Sequence, residues 1–154
     1  MSKKIAVVGI GNTFRRDDGI GIIILESLLK FYKREQIDYL NFGIASFDLI
    51  HKMRDYDTFI LIDGINANLS AGEMKIFELT DVGYKPNILA VSTHEFNLKD
   101  IFELFKKLAP KTKVYVAGIQ VADTSYGEDL SEGLKYKKED LVRQVSKFID
   151  KTSS

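Results

Sequence analysis

The sequence contains no cysteine. Disulfides, cysteine-ligated zinc, iron–sulfur clusters and thiol catalysis are all excluded by that single absence. It also has no excess of either charge: 22 Lys and Arg stand against 22 Asp and Glu, a formal net charge of zero. Bulk electrostatics therefore gives no support to nucleic-acid binding. Nor is there a long apolar run. The opening stretch MSKKIAVVGIGN breaks at Gly9 and is soon followed by Arg15, Arg16, Asp17 and Asp18. It is too short for a signal-peptide core with a cleavage site, and far too short to span a bilayer. A cytoplasmic protein without membrane insertion is the expectation. Histidine is scarce: His51 and His94 are the only two.

What is present reads as one unit. At 154 residues a single domain over 1–154 is expected. Such a chain buries roughly two thirds of its unfolded surface, so no staple is needed. Residues 4–10 (KIAVVGI) form an apolar β-branched run suited to a strand buried on both faces. Further strands are predicted at 37–42, 57–62, 73–79 and 112–117, with a short extended piece at 87–91. The 73–79 segment alternates polar and apolar residues, which suits a sheet margin. From Asp18 to about Lys33, Ile20, Ile24 and Leu28 recur at helical spacing. Helices are also predicted at 46–54, capped by Ser46, and at 97–108. Leu141, Val145, Phe148 and Ile149 stripe a closing helix, beyond which 151–154 is expected to fray. Strands alternating with helices predict an α/β fold with a mostly parallel sheet and helices on both faces, a three-layer sandwich.

Several familiar chemistries fail on inspection. Gly9-Ile10-Gly11-Asn12 after the first strand invites a dinucleotide site, but Phe14 stands where the third glycine belongs. Asn41 and Phe42 stand where an acid should end the second strand. There is no G-K-[ST] and no G-x-S-x-G, so neither a P-loop nor an elbow serine hydrolase is supported. Gly9 and Gly11 serve either tight packing of the turn or close approach of a bound group. Asn12 either caps locally or reaches into a site.

Three segments bring chemistry to one place. DDGIG at 17–21, LIDGI at 61–65 and VSTHEF at 91–96 each follow a predicted strand. In a parallel α/β sheet such turns gather at the carboxyl edge, where ligands bind. Asp17 and Asp18 both suit a helix start, where negative charge is favoured. Two adjacent carboxylates exceed what one cap requires, so one is left over, and spacing alone does not say which. Asp63 ends an apolar strand and precedes Gly64, either as part of a turn or as a functional acid that needs a compensating partner. His51 lies on an amphipathic segment and reads as structural. His94 sits at a strand-to-helix junction. Two carboxylates and one imidazole suit a borderline divalent metal.

Taken in order, GIGNTFRRDDGIG, LIDGI, STHEF and VAGIQ resemble the motifs of the hydrogenase maturation proteases, the endopeptidases that process the C-terminus of nickel–iron hydrogenase large subunits. The resemblance runs from about residue 4 to the final helix. It implies a five-stranded twisted sheet between helices. It places the acidic metal ligand at Asp18, with Asp63 and His94 completing a set that is both metal-binding and catalytic. Gly9, Gly11, Asn12 and Asp17 are then candidates for substrate contact. The implied partner is the nickel-loaded large-subunit precursor, which supplies the nickel; cadmium or zinc could replace it in vitro. Two departures stand out: Gly118-Ile119-Gln120 continues with Val121 rather than proline, and Thr93 and Phe96 flank the histidine region without one. Two functions compete with this one: a non-catalytic chaperone that inspects the nickel site with the same three residues, and a small-molecule hydrolase at the same sheet edge with the acidic pair as general acid and base.

Overall fold

Strand β1 (Ile5–Ile10) is buried at every residue and lies inside the sheet. In the computed structural model, which describes residues 3–44, 47–79, 100, 103–104, 107–108 and 111–154, it is followed by a 3-10 turn at Arg16–Gly19. Helix α1 (Ile20–Phe31), β2 (Ile37–Gly43), α2 (Phe47–Met53) and β3 (Thr58–Ile65) come next, then β4 (Met74–Leu79), β5 (Lys113–Gln120) and the long α3 (Glu132–Ser153). The sheet order is β2-β1-β3-β5-β4. Three of its four pairings are parallel; β4 runs antiparallel to β5 at the margin. This is the five-stranded, mostly parallel sheet expected.

The apolar periodicities divide into two cores. On one face Ala6, Val8, Phe59, Leu61 and Val116 meet Leu49, Ile50 and Met53 of α2. On the other Val7, Ile60, Ile62 and Ile119 meet Ile20, Ile24 and Leu28 of α1 and Leu141, Val145 and Ile149 of α3. Strand β3 is buried along its whole length and feeds both. Each fully buried Ile or Leu contributes roughly 1.5–3 kcal/mol relative to exposure.

The boundaries differ from the expectation in informative ways. Helix α1 begins at Ile20 rather than Asp18, because Arg16–Gly19 is wound as a tighter 3-10 turn. Strand β3 runs on to Ile65, so Asp63 and Gly64 are ladder residues, paired with Gly118 and Ile119, and not a turn. Backbone pairing with β5 carries the strand through them. The tail expected to fray from 151 is helical to Ser153; buried Ile149 anchors it, and the Ser153 and Ser154 hydroxyls donate to the Asp150 and Lys151 carbonyls. The 87–91 segment, Ser46 and most of the 97–108 helix lie outside the described residues. Among the described residues, no helix is long and apolar enough to cross a membrane.

Polar ties close the amino edge. The single Thr112 hydroxyl proton is shared between the Met53 and Tyr56 carbonyl oxygens, each 2.8 Å from Oγ1. The Tyr56 hydroxyl donates to Asp38 at 2.7 Å. Burial and then the Asp38 carboxylate push the Tyr56 phenol up to about 12.

Two outcomes follow from this packing. A Cβ at Gly21 would run into the carbonyl oxygens of Ile10 and Ile62, whereas one at Gly133 meets only Ala71 at 3.8 Å. Gly21→Ala is expected to lower stability by about 1–3 kcal/mol through overpacking. Gly133→Ala should leave it equal or higher, because alanine is the better helix former. Urea titration of both variants checks the contrast. The second outcome concerns alkaline pH. The folded state keeps the Tyr56 proton above the unfolded value of 10, so its stabilisation is full below pH 10 and falls as pH rises toward 12. Tyr56→Phe should flatten that decline in denaturation curves recorded across this range.

Candidate active site at the carboxyl edge of β1 and β3

β1 and β3 are parallel neighbours with Gly9 level with Ile62. β1 ends one residue later at Ile10, while β3 runs on through Asp63 to Ile65 alongside β5. Helix α1 starts directly above them: only a glycine at 21 lets its backbone settle on the Ile10 and Ile62 carbonyls. That close seating delivers the 3-10 turn, and with it Asp17 and Asp18, to the end of β3.

Asp18 is 1% exposed, and its Oδ2 accepts a hydrogen bond from the Asn12 N–H at 3.2 Å. Asp63 is likewise 1% exposed. By strand alternation it shares the sheet face of Leu61 and Ile65, the α2 side. Both expected acids are thus buried, Asp18 in the 3-10 turn ahead of α1 and Asp63 within β3 close to its carboxyl end. His94 lies outside the described residues. Among the described residues, no three His, Cys, Asp or Glu side chains form a metal-holding group.

The two adjacent acids meet different surroundings. Asp17 is fully buried, and its carboxylate accepts four hydrogen bonds: from the N–H groups of Ala122 (2.9 Å), Asp123 (2.9 Å) and Ser131 (2.7 Å), and from the Ser131 hydroxyl (2.7 Å). Ser131 is the N-cap of α3. Asp17 does therefore serve a helix start, but that of α3 instead of its own α1. A carboxylate so enclosed has an internal task; contact with substrate is not among the roles its surroundings support.

The glycines and Asn12 have local explanations. A Cβ at Gly9 would press on the Gly21 carbonyl oxygen at 2.8 Å and on Leu25 Cβ at 3.0 Å, so Gly9 serves helix packing. Gly11 has φ +151° and lies so close to the Asp18 carbonyl that no side chain fits. The Asn12 side chain accepts from the Phe14 N–H at 3.0 Å, a local cap. Its backbone N–H is what meets Asp18.

Three contributors were not foreseen. Gln120 is nearly buried; its Oε1 accepts from the Ala67 and Leu69 N–H groups, and its Nε2 donates to Asn66 Oδ1 and the Val121 carbonyl. It pins the chain leaving β3, just beyond Asp63. Arg15 Nε donates to the Thr124 carbonyl at 2.9 Å, and its guanidinium lies 5.5 Å from the Tyr126 ring. Ser131 is the third. A serine ahead of an apolar-periodic helix is a readable cap, but nothing local reveals that its hydroxyl turns to Asp17. Asp123 sits beside them, its pKa lowered first by the Ser125 hydroxyl and then by the Ser125 N–H.

The chain is similar in sequence and fold to known proteins. The family profile of the hydrogenase maturation proteases (HycI) matches residues 22–148. The hydrogenase expression/formation protein HupD of Rhizobium leguminosarum bv. viciae is 27% identical over 99 residues, 64% of this chain and 49% of that protein, so the match spans about half its length. The crystal structure of the [NiFe] hydrogenase maturation protease HycI from Thermococcus kodakarensis superposes with a TM-score of 0.74 at 26% identity, covering 97% of this chain and 94% of that one. The hydrogenase maturating endopeptidase HybD from Escherichia coli shares the fold, with a TM-score of 0.78 at 24% identity over 97% and 93% of the two chains. On the strength of the profile match, which covers most of its length, the chain belongs to the hydrogenase maturation protease family.

Proposed function

We propose that this chain removes the C-terminal extension of a nickel–iron hydrogenase large-subunit precursor after nickel has been inserted. The observation that carries the reading is the pair of buried carboxylates, Asp18 in the turn that packs on β3 and Asp63 near the carboxyl end of that strand, in a chain of this family. Buried carboxylates at the rim of a sheet suit the recognition of a cation.

In this reading nickel arrives as cargo of the substrate, held by the precursor. Asp18, Asp63 and His94 offer two oxygens and one nitrogen to its open positions, a set suited to a borderline divalent ion. With no thiolate of its own, the protease cannot strip the metal as a competing sulfur site. Docking of the nickel brings the scissile peptide to the sheet edge, which supplies proximity. Hydrolysis then consumes one water: its oxygen bonds to the carbonyl carbon, the C–N bond breaks, and the leaving nitrogen takes up a proton. Cleavage gated by nickel follows from the same ligands, since a precursor without nickel has nothing to present to them.

The decisive experiment mixes the protein with nickel-loaded precursor and measures intact mass. A defined loss at the precursor C-terminus is expected. Complex formation with unchanged mass would indicate a chaperone instead. Asp18→Asn, Asp63→Asn and His94→Ala are each expected to lower the processing rate by at least about 100-fold while circular dichroism reports a folded domain. Nickel-free precursor should keep its full mass under the same conditions. Normal processing by any one of these variants removes that residue from the site.

A further inference from the structure

The sheet order puts β3 between β1 and β5, so any link between the turn after β1 and the loop after β5 must pass over the end of β3. Such a link exists, and Asp17 is its centre. Its carboxylate gathers the N–H groups of Ala122, Asp123 and Ser131 and the Ser131 hydroxyl, and its own N–H donates to the Asp123 carbonyl at 3.0 Å. Flanking bonds extend the seam: Arg16 N–H to the Gly127 carbonyl, and Gly127 N–H to the Phe14 carbonyl. Beneath it lies Gly64, where a Cβ would meet Val121 Cγ1 at 2.9 Å and the Asp17 carbonyl oxygen at 3.4 Å. The bridge therefore rests on β3 one residue past Asp63.

We propose that Asp17 is a positioning residue: by clamping loop 122–131 to the 3-10 turn across the end of β3, it fixes Asp18 relative to Asp63. The inference rests on Asp18 and Asp63 forming the site described above. Its chemistry is specific. All four partners of the Asp17 carboxylate are donors, and a carboxylate is acceptor-only, so every lone-pair direction used is matched. Bonds of this charge-assisted kind are about twice as strong as neutral ones, and the N-terminal dipole of α3 adds to them. An amide at the same place would aim its own N–H groups at donors. From Asp17 the constraint reaches the next residue directly, and Asp18 is gripped from its other side by the Asn12 N–H.

The test compares Asp17→Asn and Ser131→Ala with Thr112→Val, which removes a buried hydroxyl tie at the opposite edge of the sheet. For processing of nickel-loaded precursor, Asp17→Asn should lower kcat by roughly 10- to 100-fold, the scale of a small misplacement of reacting groups, with KM changed less than about twofold. Ser131→Ala, which removes one of the four bonds, should show a smaller fall of the same kind. Thr112→Val should keep kcat even where it lowers Tm. Amide exchange gives a readout independent of activity: the Asn12 N–H should exchange faster in Asp17→Asn and not in Thr112→Val. Unchanged kcat in the folded Asp17 and Ser131 variants, or an equal loss in Thr112→Val, overturns the proposal. If Asp17→Asn does not fold, Ser131→Ala alone decides. Normal processing by Asp18→Asn would instead sink the site itself, a failure visible separately from that of Asp17.

Discussion

The seating of α1 on the carboxyl ends of β1 and β3 is the constraint on which the rest depends. Its backbone comes so near the Ile10 and Ile62 carbonyls that position 21 tolerates no side chain. That approach does two things at once. It buries Ile20, Ile24 and Leu28 against the sheet, and it carries the preceding turn over the rim. A helix standing a few ångströms further off would bury the same kinds of residues while leaving Asp18 away from the strand that holds Asp63. Packing and site geometry are here one fact.

Much of this was legible in the sequence because burial dictates it. A strand in a sheet covered by helices on both faces needs apolar residues on both, and IAVVGI and TFILI announce that without ambiguity. Helical stripes and the margin character of β4 are of the same local kind. What could not be read is non-local. The choice between Asp17 and Asp18 is made by donors 105 to 114 residues downstream, and no window of sequence contains both. The extension of β3 through Asp63 and Gly64 was hidden for a related reason: the ladder to β5 pairs backbones, and an acid followed by glycine reads as a turn until the partner strand is known. Gln120 was noticed only as part of a motif, and its role in holding residues 66–69 needed coordinates.

Membership of the family and the local geometry support one another without being the same argument. The profile match covers most of the chain, whereas the burial of the two acids follows from how β3 and the 3-10 turn pack. The two adjacent aspartates divide the labour that a single one could not perform. One is wholly consumed by internal donors; the other keeps its place beside Asn12 at the sheet rim. Neighbouring side chains in a tight turn thus diverge to different partners, Asp17 to the 122–131 loop and Asp18 to the Asn12 N–H.

The seam between Arg16–Gly19 and the 122–131 loop has a bearing on biosynthesis. During translation the first acids emerge early, while the groups that hold Asp17 leave the ribosome more than a hundred residues later. Contacts of such separation form late. The seam thus closes only once residues 122–131 have been made, and a nascent fragment holding both DDG and LIDG but stopping short of them would leave Asp17 without the donors that hold it.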